Sequence, residues 1–241
     1  MRDRLYAQPL TNISDFVFDE SVADVFTDMV QRSVPGYATV IQLIKVLAAQ
    51  YVQQNSQCYD LGCSLGAVTM ALCQGIVQPG CRIIAVDNSA AMVDRLQQHV
   101  SAIDDLVTLL EVQCQDINEV NIHNASFVVL NYTLQFIAVE NRFSILSDIY
   151  NGLLPGGVLI LSEKICSPNE SQNELLVDLH HAFKKTNGYS DLEISQKRQA
   201  LEKVLSAETL KQHQTRLKQA GFQCVEQIFQ CFNFVTLFAQ K

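Results

Sequence analysis

The sequence predicts an α/β fold: a mostly parallel seven-stranded sheet, covered by helices on both faces and closed by an antiparallel C-terminal hairpin. Three observations carry this expectation. From residue 57 onward, short apolar runs alternate with helix-length segments, the pattern of parallel strands joined by crossover helices. The first run ends in an acid and a glycine turn, Asp60-Leu61-Gly62-Cys63-Ser64-Leu65-Gly66. The tail holds two strand-like runs, 222–229 and 232–239, with so few residues between them that they should pair as a hairpin.

Taken in order, Phe18, Val22, Val25, Phe26, Met29 and Val30 follow helical spacing and predict a helix over 19–31. Ser33-Val34-Pro35-Gly36-Tyr37 breaks it, and Val40, Ile41, Ile44, Leu47 and Tyr51 give a second helix its apolar side; the two form an N-terminal helical segment, 19–52. The alternation then reads strand 57–61, helix 67–76, strand 82–86, helix 89–100 and strand 107–113. It continues with strand 126–130, helix 139–153 and strand 158–163, with Leu154-Pro155-Gly156-Gly157 as the break before the last. Residues 165–205 form a long polar insertion, expected to serve as a lid or a subunit contact. Within it, Ser190 and Glu193 fit a capping box for a helix whose apolar side is Ile194, Leu201, Val204 and Leu205. A final helix over 206–221 leads back to the core.

At 241 residues the chain is expected to form a single domain, 1–241, around one large core. Its 48% hydrophobic and 17% charged content is that of a globular protein. The eight cysteines are scattered without a CxxC or a histidine at metal-ligand spacing, so they read as reduced core thiols, and no metal is expected. Cys63 is expected to serve through its backbone. No apolar run is long enough to span a bilayer and the N-terminal residues lack a signal-peptide core, so the expected location is the cytoplasm, without a membrane partner. A net charge of −8 with no basic run argues against direct nucleic-acid binding, which depends on clustered Lys and Arg.

The glycine turn decides the cofactor class. A dinucleotide turn needs G-x-G-x-x-G, and Gly62, Ser64 and Ala67 match that poorly. The pattern Asp60-x-Gly62-x-x-x-Gly66 instead resembles the first motif of the S-adenosyl-L-methionine (SAM)-dependent methyltransferase family, which implies that family's Rossmann-like fold. Ser64 stands where glycine is usual and narrows the room against the turn. Ligands of open α/β sheets sit at the carboxyl ends of the strands. The candidate contacts are therefore Gly62, Cys63 and Ser64 after the first strand, Asp87 and Asn88 after the second, Asp116 and Ile117 after the third, and Asn131 after the fourth. Asp87 would accept from the ribose hydroxyls, Asp116 from the adenine amino group, and Ile117 would pack the ring. The alternative for Asp116 is a loop cap and for Asn131 an Asx turn. His180-His181 reads as surface or subunit contact rather than a catalytic base, and the turns supply no acid-base pair.

A narrower resemblance covers nearly the whole chain. FDESVADVFTDMVQRSVPGY (18–37), YDLGCSLGAVT (59–69), IIAVDNSAAM (83–92), GYSDLEISQKRQALE (188–202) and FQCFNF (229–234) are similar to the carboxy-S-adenosyl-L-methionine synthase family. The resemblance implies conversion of SAM and prephenate to carboxy-S-adenosyl-L-methionine and phenylpyruvate. It also implies that the product passes to a tRNA carboxymethyltransferase acting on the wobble uridine in 5-oxyacetyluridine synthesis. Carried over by position, it implies ligand contacts at Tyr37, Gly62, Cys63, Ser64, Asp87, Asn88, Asp116, Ile117, Asn131 and Arg198. Arg198 is the implied catalytic residue: a guanidinium fork can hold a carboxylate added to the sulfonium methyl, whereas a plain methyltransferase has no use for a cation there. Arg198 also reads as an ordinary charge on a solvated helix.

Two other readings stand beside this one, a conventional small-molecule methyltransferase and a non-catalytic SAM-binding partner of a tRNA-modifying enzyme. The apolar N-terminal helix and the long insertion lead us to expect a homodimer, with Arg198 reaching its own site or its neighbour's. Cationic partners for the prephenate carboxylates are sought in Arg32, Lys164 and Lys197, each equally readable as a surface charge.

Overall fold

The computed structural model describes residues 1–101 and 109–241. Five strands run parallel: β1 (Gln57–Leu61), β2 (Arg82–Asp87), β3 (Leu109–Cys114), β4 (Ala125–Asn131) and β5 (Leu153–Cys166). The two-residue β6 (Glu208–Thr209) lies parallel to the end of β5. β7 (Cys224–Cys231) and β8 (Phe234–Gln240) form the antiparallel hairpin, with β8 also antiparallel to β5. The seven-strand order is β3-β2-β1-β4-β5-β8-β7, so the strand order reverses beside β1. That reversal opens the crevice in which such sheets take ligands.

Helices cover both faces: α1 (Glu20–Ser33), α2 (Tyr37–Tyr51), α3 (Ala67–Gly75), α4 (Ala90–Ser101), α5 (Arg142–Gly152), α6 (Glu170–Thr186), α7 (Asp191–Leu201) and α8 (Leu210–Ala220). The strands are apolar nearly throughout because successive side chains point to opposite faces and both faces are buried. On one face Tyr59, Leu61 and Val86 join Leu146 and Ile149 of α5 and Leu217 of α8. On the other, Cys58, Ile83 and Phe127 join Ile44 and Ala48 of α2 and Leu72 of α3. Each fully buried Leu, Ile or Phe contributes about 1.5–3 kcal/mol relative to exposure. A third cluster packs Phe16, Val22, Val25 and Met29 against Met92 of α4 and Ala200 of α7. It roofs the carboxyl ends of the strands with the chain's N-terminal part and its insertion.

Local signals set most boundaries. Asp19 caps α1 by accepting from Val22 N–H at 3.0 Å. The capping box at Ser190 and Glu193 opens α7, although Val204 and Leu205 lie beyond its end. The rest of the insertion holds α6, capped by Asn169, which its polar composition did not announce. The expected helix over 139–153 is divided: a 3-10 turn, Val139–Asn141, precedes α5. The helix expected from 206 begins at Leu210, because Thr209 and Gln212 form a second capping box and Glu208–Thr209 pair with β5. The Pro-Gly-Gly break lies inside the span of β5, where the register against β4 jumps between Leu153 and Val158 and Gly156 takes a φ of 77°. Of the third expected strand, residues 107 and 108 lie outside the described residues; the remainder is β3.

One buried polar knot ties these pieces together. Arg142, fully buried, pairs with Glu208 and donates to the carbonyls of Gln135, Ile137 and Ser206. Arg216 meets the other oxygen of Glu208. Removing one partner of such a pair strands a buried charge. Arg142→Ala should therefore cost about 3–5 kcal/mol in urea denaturation. Arg142→Met combined with Glu208→Leu should cost clearly less than the sum of the two single changes.

Candidate active site

β1 ends where the chain must turn under α3, and the turn is built from backbone. Gly62 (φ 83°) and Gly66 (φ 82°) take left-handed conformations, and a Cβ at Gly62 would fall on the Thr133 side chain. Ser64 is also left-handed, at φ 47°, a conformation that costs a non-glycine residue about 1–2 kcal/mol. The turn is latched to the tip of β2. Gly62 N–H and Cys63 N–H both donate to Val86 O, at 2.8 and 2.9 Å, and Ser64 N–H donates to Asp87 Oδ2 at 2.9 Å. Asp87 Oδ1 accepts from Ser89 N–H at 2.9 Å. Each carboxylate oxygen keeps a lone pair for a ligand. Burial pushes the Asp87 carboxyl up, while the two backbone donors hold it down.

Beneath the turn, Asp60 is buried and accepts from Thr69 Oγ1 at 2.6 Å. Burial raises its carboxyl to about 7, with Asp87 adding to the push. Cys63 is buried in the same turn, and its thiol is likewise pushed up by burial; its backbone is the part the turn uses.

Over this turn lies a cavity of about 520 Å³. All ten candidate contacts line it: Tyr37, Gly62, Cys63, Ser64, Asp87, Asn88, Asp116, Ile117, Asn131 and Arg198. Asp116 does cap a loop, since its Oδ1 accepts from Asn118 N–H at 2.8 Å and from Asn118 Nδ2 at 2.6 Å. Both bonds fall on one oxygen, so the cap leaves the other for a ligand. Asn131 Oδ1 is buried without a partner among the described residues, which does not fit an Asx turn. Tyr37 opens α2 beside Tyr132, their rings stacked at 6.4 Å between centroids. Arg198, in the last turn of α7, is exposed at the cavity rim.

The cavity also draws on residues that strand-end reasoning did not reach. Tyr132 has a φ of 62° and a buried, unpartnered hydroxyl, and it meets Phe234 edge-on at 5.9 Å. Its place directly after Asn131 was a usable signal. Phe18, Phe136 and Lys184 line the cavity as well. His180 and His181 both line the cavity; His180 is buried, which corrects the surface expectation for it, while His181 is half-buried. His180 is buried, donates to Ser33 O at 2.8 Å, and burial brings it down to about 3, so it stays neutral. Arg32 is not at the cavity. It is held by Asp28 at 3.0 Å and by Asn187 O at 2.8 Å, and it lies over the Tyr189 ring. Among the described residues, no group of three or more His, Cys, Asp or Glu side chains could hold a metal ion.

Fold and glycine turn together define a Rossmann-like SAM-dependent enzyme of the methyltransferase type. Residues 59–157 match the family model described as a methyltransferase domain. The fold is similar to human N-acetylserotonin methyltransferase in complex with SAM, at TM-score 0.62 and 18% identity, covering 92% of this chain and 55% of that one. It is similar also to magnesium protoporphyrin IX methyltransferase from Synechocystis with bound SAM, at TM-score 0.59 and 15% identity, covering 89% and 84%. The chain belongs to the carboxy-S-adenosyl-L-methionine synthase family. It is 56% identical to the carboxy-S-adenosyl-L-methionine synthase of Trichlorobacter lovleyi, over 99% of this chain and 98% of the relative. It is 52% identical to that of Pasteurella multocida, over 100% and 99%.

Two outcomes follow from the turn. Gly62→Ala forces a Cβ against Thr133 at a left-handed position, so SAM affinity should fall about tenfold or more, read by titration calorimetry on protein that still folds by circular dichroism. Asp60 binds its proton more tightly folded, to about 7, than unfolded, at about 3.9. The stability it contributes is complete below pH ~3.9 and is lost as pH rises through ~7. Asp60→Asn should therefore gain stability relative to the parent between pH 4 and 7.5 in denaturant titrations; a pH-independent difference would remove the assigned proton.

Proposed function

We propose that this chain converts SAM and prephenate to carboxy-S-adenosyl-L-methionine and phenylpyruvate. The product would supply the donor for carboxymethylation of the tRNA wobble uridine by a separate tRNA carboxymethyltransferase. Family membership supports the reaction class. The single observation that carries it to this site is the position of Arg198, at the rim of the cavity whose floor is the glycine turn.

In this reading the backbone of Gly62, Cys63 and Ser64 lies against SAM. Asp87 and Asn88 take the ribose, Asp116 and Ile117 the adenine, and Tyr37 and Asn131 the methionine end. Prephenate loses its ring carboxylate as carbon dioxide and its hydroxyl as hydroxide, and aromatisation drives the step. The hydroxide removes a proton from the SAM methyl, forming water and a sulfonium ylide. The ylide carbon attacks the carbon dioxide, and the new carboxylate pairs with the Arg198 guanidinium. The protein supplies proximity, charge and exclusion of water rather than an acid-base pair. The neutral, hydrogen-bonded His180 and the absence of an acid-base pair among the strand-end residues fit that division of labour.

We assign the chain to the cytoplasm as a homodimer, acting without metal and without contacting nucleic acid. Leu175 and Leu179, one helical turn apart and exposed on α6, support a subunit contact through the insertion. The net charge of −8 supports a small-molecule role over RNA binding.

The test is mass spectrometry of the products from SAM plus prephenate, with Arg198→Ala alongside. The parent should yield a species one carboxyl group heavier than SAM. The variant should lose about ten- to a hundredfold in its formation while SAM binding stays within about threefold. Release of S-adenosylhomocysteine with a methylated acceptor would instead favour the conventional methyltransferase, and binding without turnover a partner subunit.

A further inference from the structure

Charge in the cavity is sorted by element. Asp87 and Asp116, at the ends of β2 and β3, supply carboxylates to one side. On the other, the end of β5 brings Lys164, α6 brings Lys184, and α7 brings Lys197 and Arg198. With Glu202 beside α7 as the one acid on this side among the described lining residues, the wall is still strongly cationic in a chain of net charge −8. Its charges are not balanced from within: among the described residues Lys164 and Lys184 make no ion pair. Lys197 differs: its ammonium is buried, 5.8 Å from the centroid of the Tyr189 ring. Its nearest carboxylate, Asp3 Oδ2 at 3.7 Å, already accepts from Tyr189 OH at 2.6 Å. Lys164 and Lys184 are half-buried with neither ion pair nor side-chain hydrogen bond among the described residues, and such charges call for an anion.

The wall has an apolar floor. Lys164 pairs across the sheet with Phe234, whose ring meets Tyr132 at 5.9 Å and His180 at 4.9 Å. We propose that Lys164 and Lys184, over the floor of Phe234 and Tyr132, form the subsite that takes the two carboxylates and the ring of a small dicarboxylate second substrate. This deepens the reading given above and rests on it for the identity of that substrate. The subsite is separate in role from Arg198, which serves the carboxylate added to SAM. Two lysines on two elements suit two carboxylates on one small molecule, because each flexible ammonium finds its oxygen independently.

The titration of the wall supports the geometry. Burial first, then the neighbouring Lys164, brings Lys184 down to about 7. Burial brings Lys197 to about 8 against the opposing pull of Asp3. Lys164 is lowered by burial and by Arg198. The groups facing Lys184 are Lys164 from β5, His180 and His181 from α6, Lys197 and Arg198 from α7, and Glu202 at the cavity edge. A dianion would be held by the protonated wall. Its affinity is greatest below pH ~7 and falls as pH rises through ~8, where the ammoniums become neutral.

The experiment titrates prephenate into the SAM-loaded full chain by calorimetry and, in parallel, measures KM for prephenate and Kd for SAM. Lys184→Met and Lys164→Met keep the apolar stem and remove the charge. Each should raise prephenate Kd and KM about ten- to a hundredfold, leave SAM Kd within about threefold and flatten the dependence of KM on pH between 7 and 9. Lys184→Arg should restore most of the affinity, which a merely structural loss would not, and it stands in if the Met variant fails to fold. Unchanged prephenate affinity, or equal losses for SAM and prephenate, would overturn the subsite. A parent that binds prephenate through these lysines but makes no carboxylated product would overturn the proposed reaction and leave the subsite standing.

Discussion

The carboxylate of Asp87 is the constraint on which the site depends. It receives Ser64 N–H from the glycine turn on one oxygen and Ser89 N–H from the start of the α4 segment on the other. It thereby ties the ends of β1 and β2 to each other and sets the floor of the cavity. The turn can be this tight because Gly62 and Gly66 carry no side chain and Ser64 tolerates a left-handed conformation. Loosening the latch would move the backbone of three residues, since Val86 O also holds Gly62 and Cys63.

The second organising feature is how the chain places its buried charge. Arg142, Glu208 and Arg216 form an ion-paired group that joins α5, β6 and α8, with Arg216 Nη1 as its one buried nitrogen lacking a hydrogen bond among the described residues. At the cavity, the Tyr132 hydroxyl and Asn131 Oδ1 are buried without a hydrogen bond among the described residues. Satisfied groups define a fold, and unsatisfied ones facing a common space define where a ligand completes the structure. The roof over that space comes from the N-terminal residues and the insertion, through the cluster linking Phe16 and Met29 to Ala200.

Much of this was legible locally. The strand and helix order followed from hydrophobic periodicity, and the capping box at Ser190 marked the start of α7 within a residue. The strand-end residues Gly62, Asp87, Asp116 and Asn131 were found by topology alone, because in a doubly wound sheet the strand ends converge whatever the loops do. Other features were not legible. The polar face of α6 concealed a helix that lines the cavity from its inner side. Nothing local said that Arg142 would be fully buried, nor that Arg32 would be spent on Asp28 and Tyr189. The left-handed Tyr132 has no glycine to signal it.

By itself, then, the sequence determined the order of the elements outside the insertion, the glycine turn and the residues at the tips of the strands. These depend on period, turn chemistry and chain direction, all of which act over a few residues. Only the tertiary structure decided which distant side chains share the cavity. Lys164, Lys184 and Lys197 come from a strand and two helices of the insertion, and they meet because α6 and α7 dock over the sheet's open end. That docking is set by complementary packing between segments far apart in the chain, and short-range sequence patterns do not encode it.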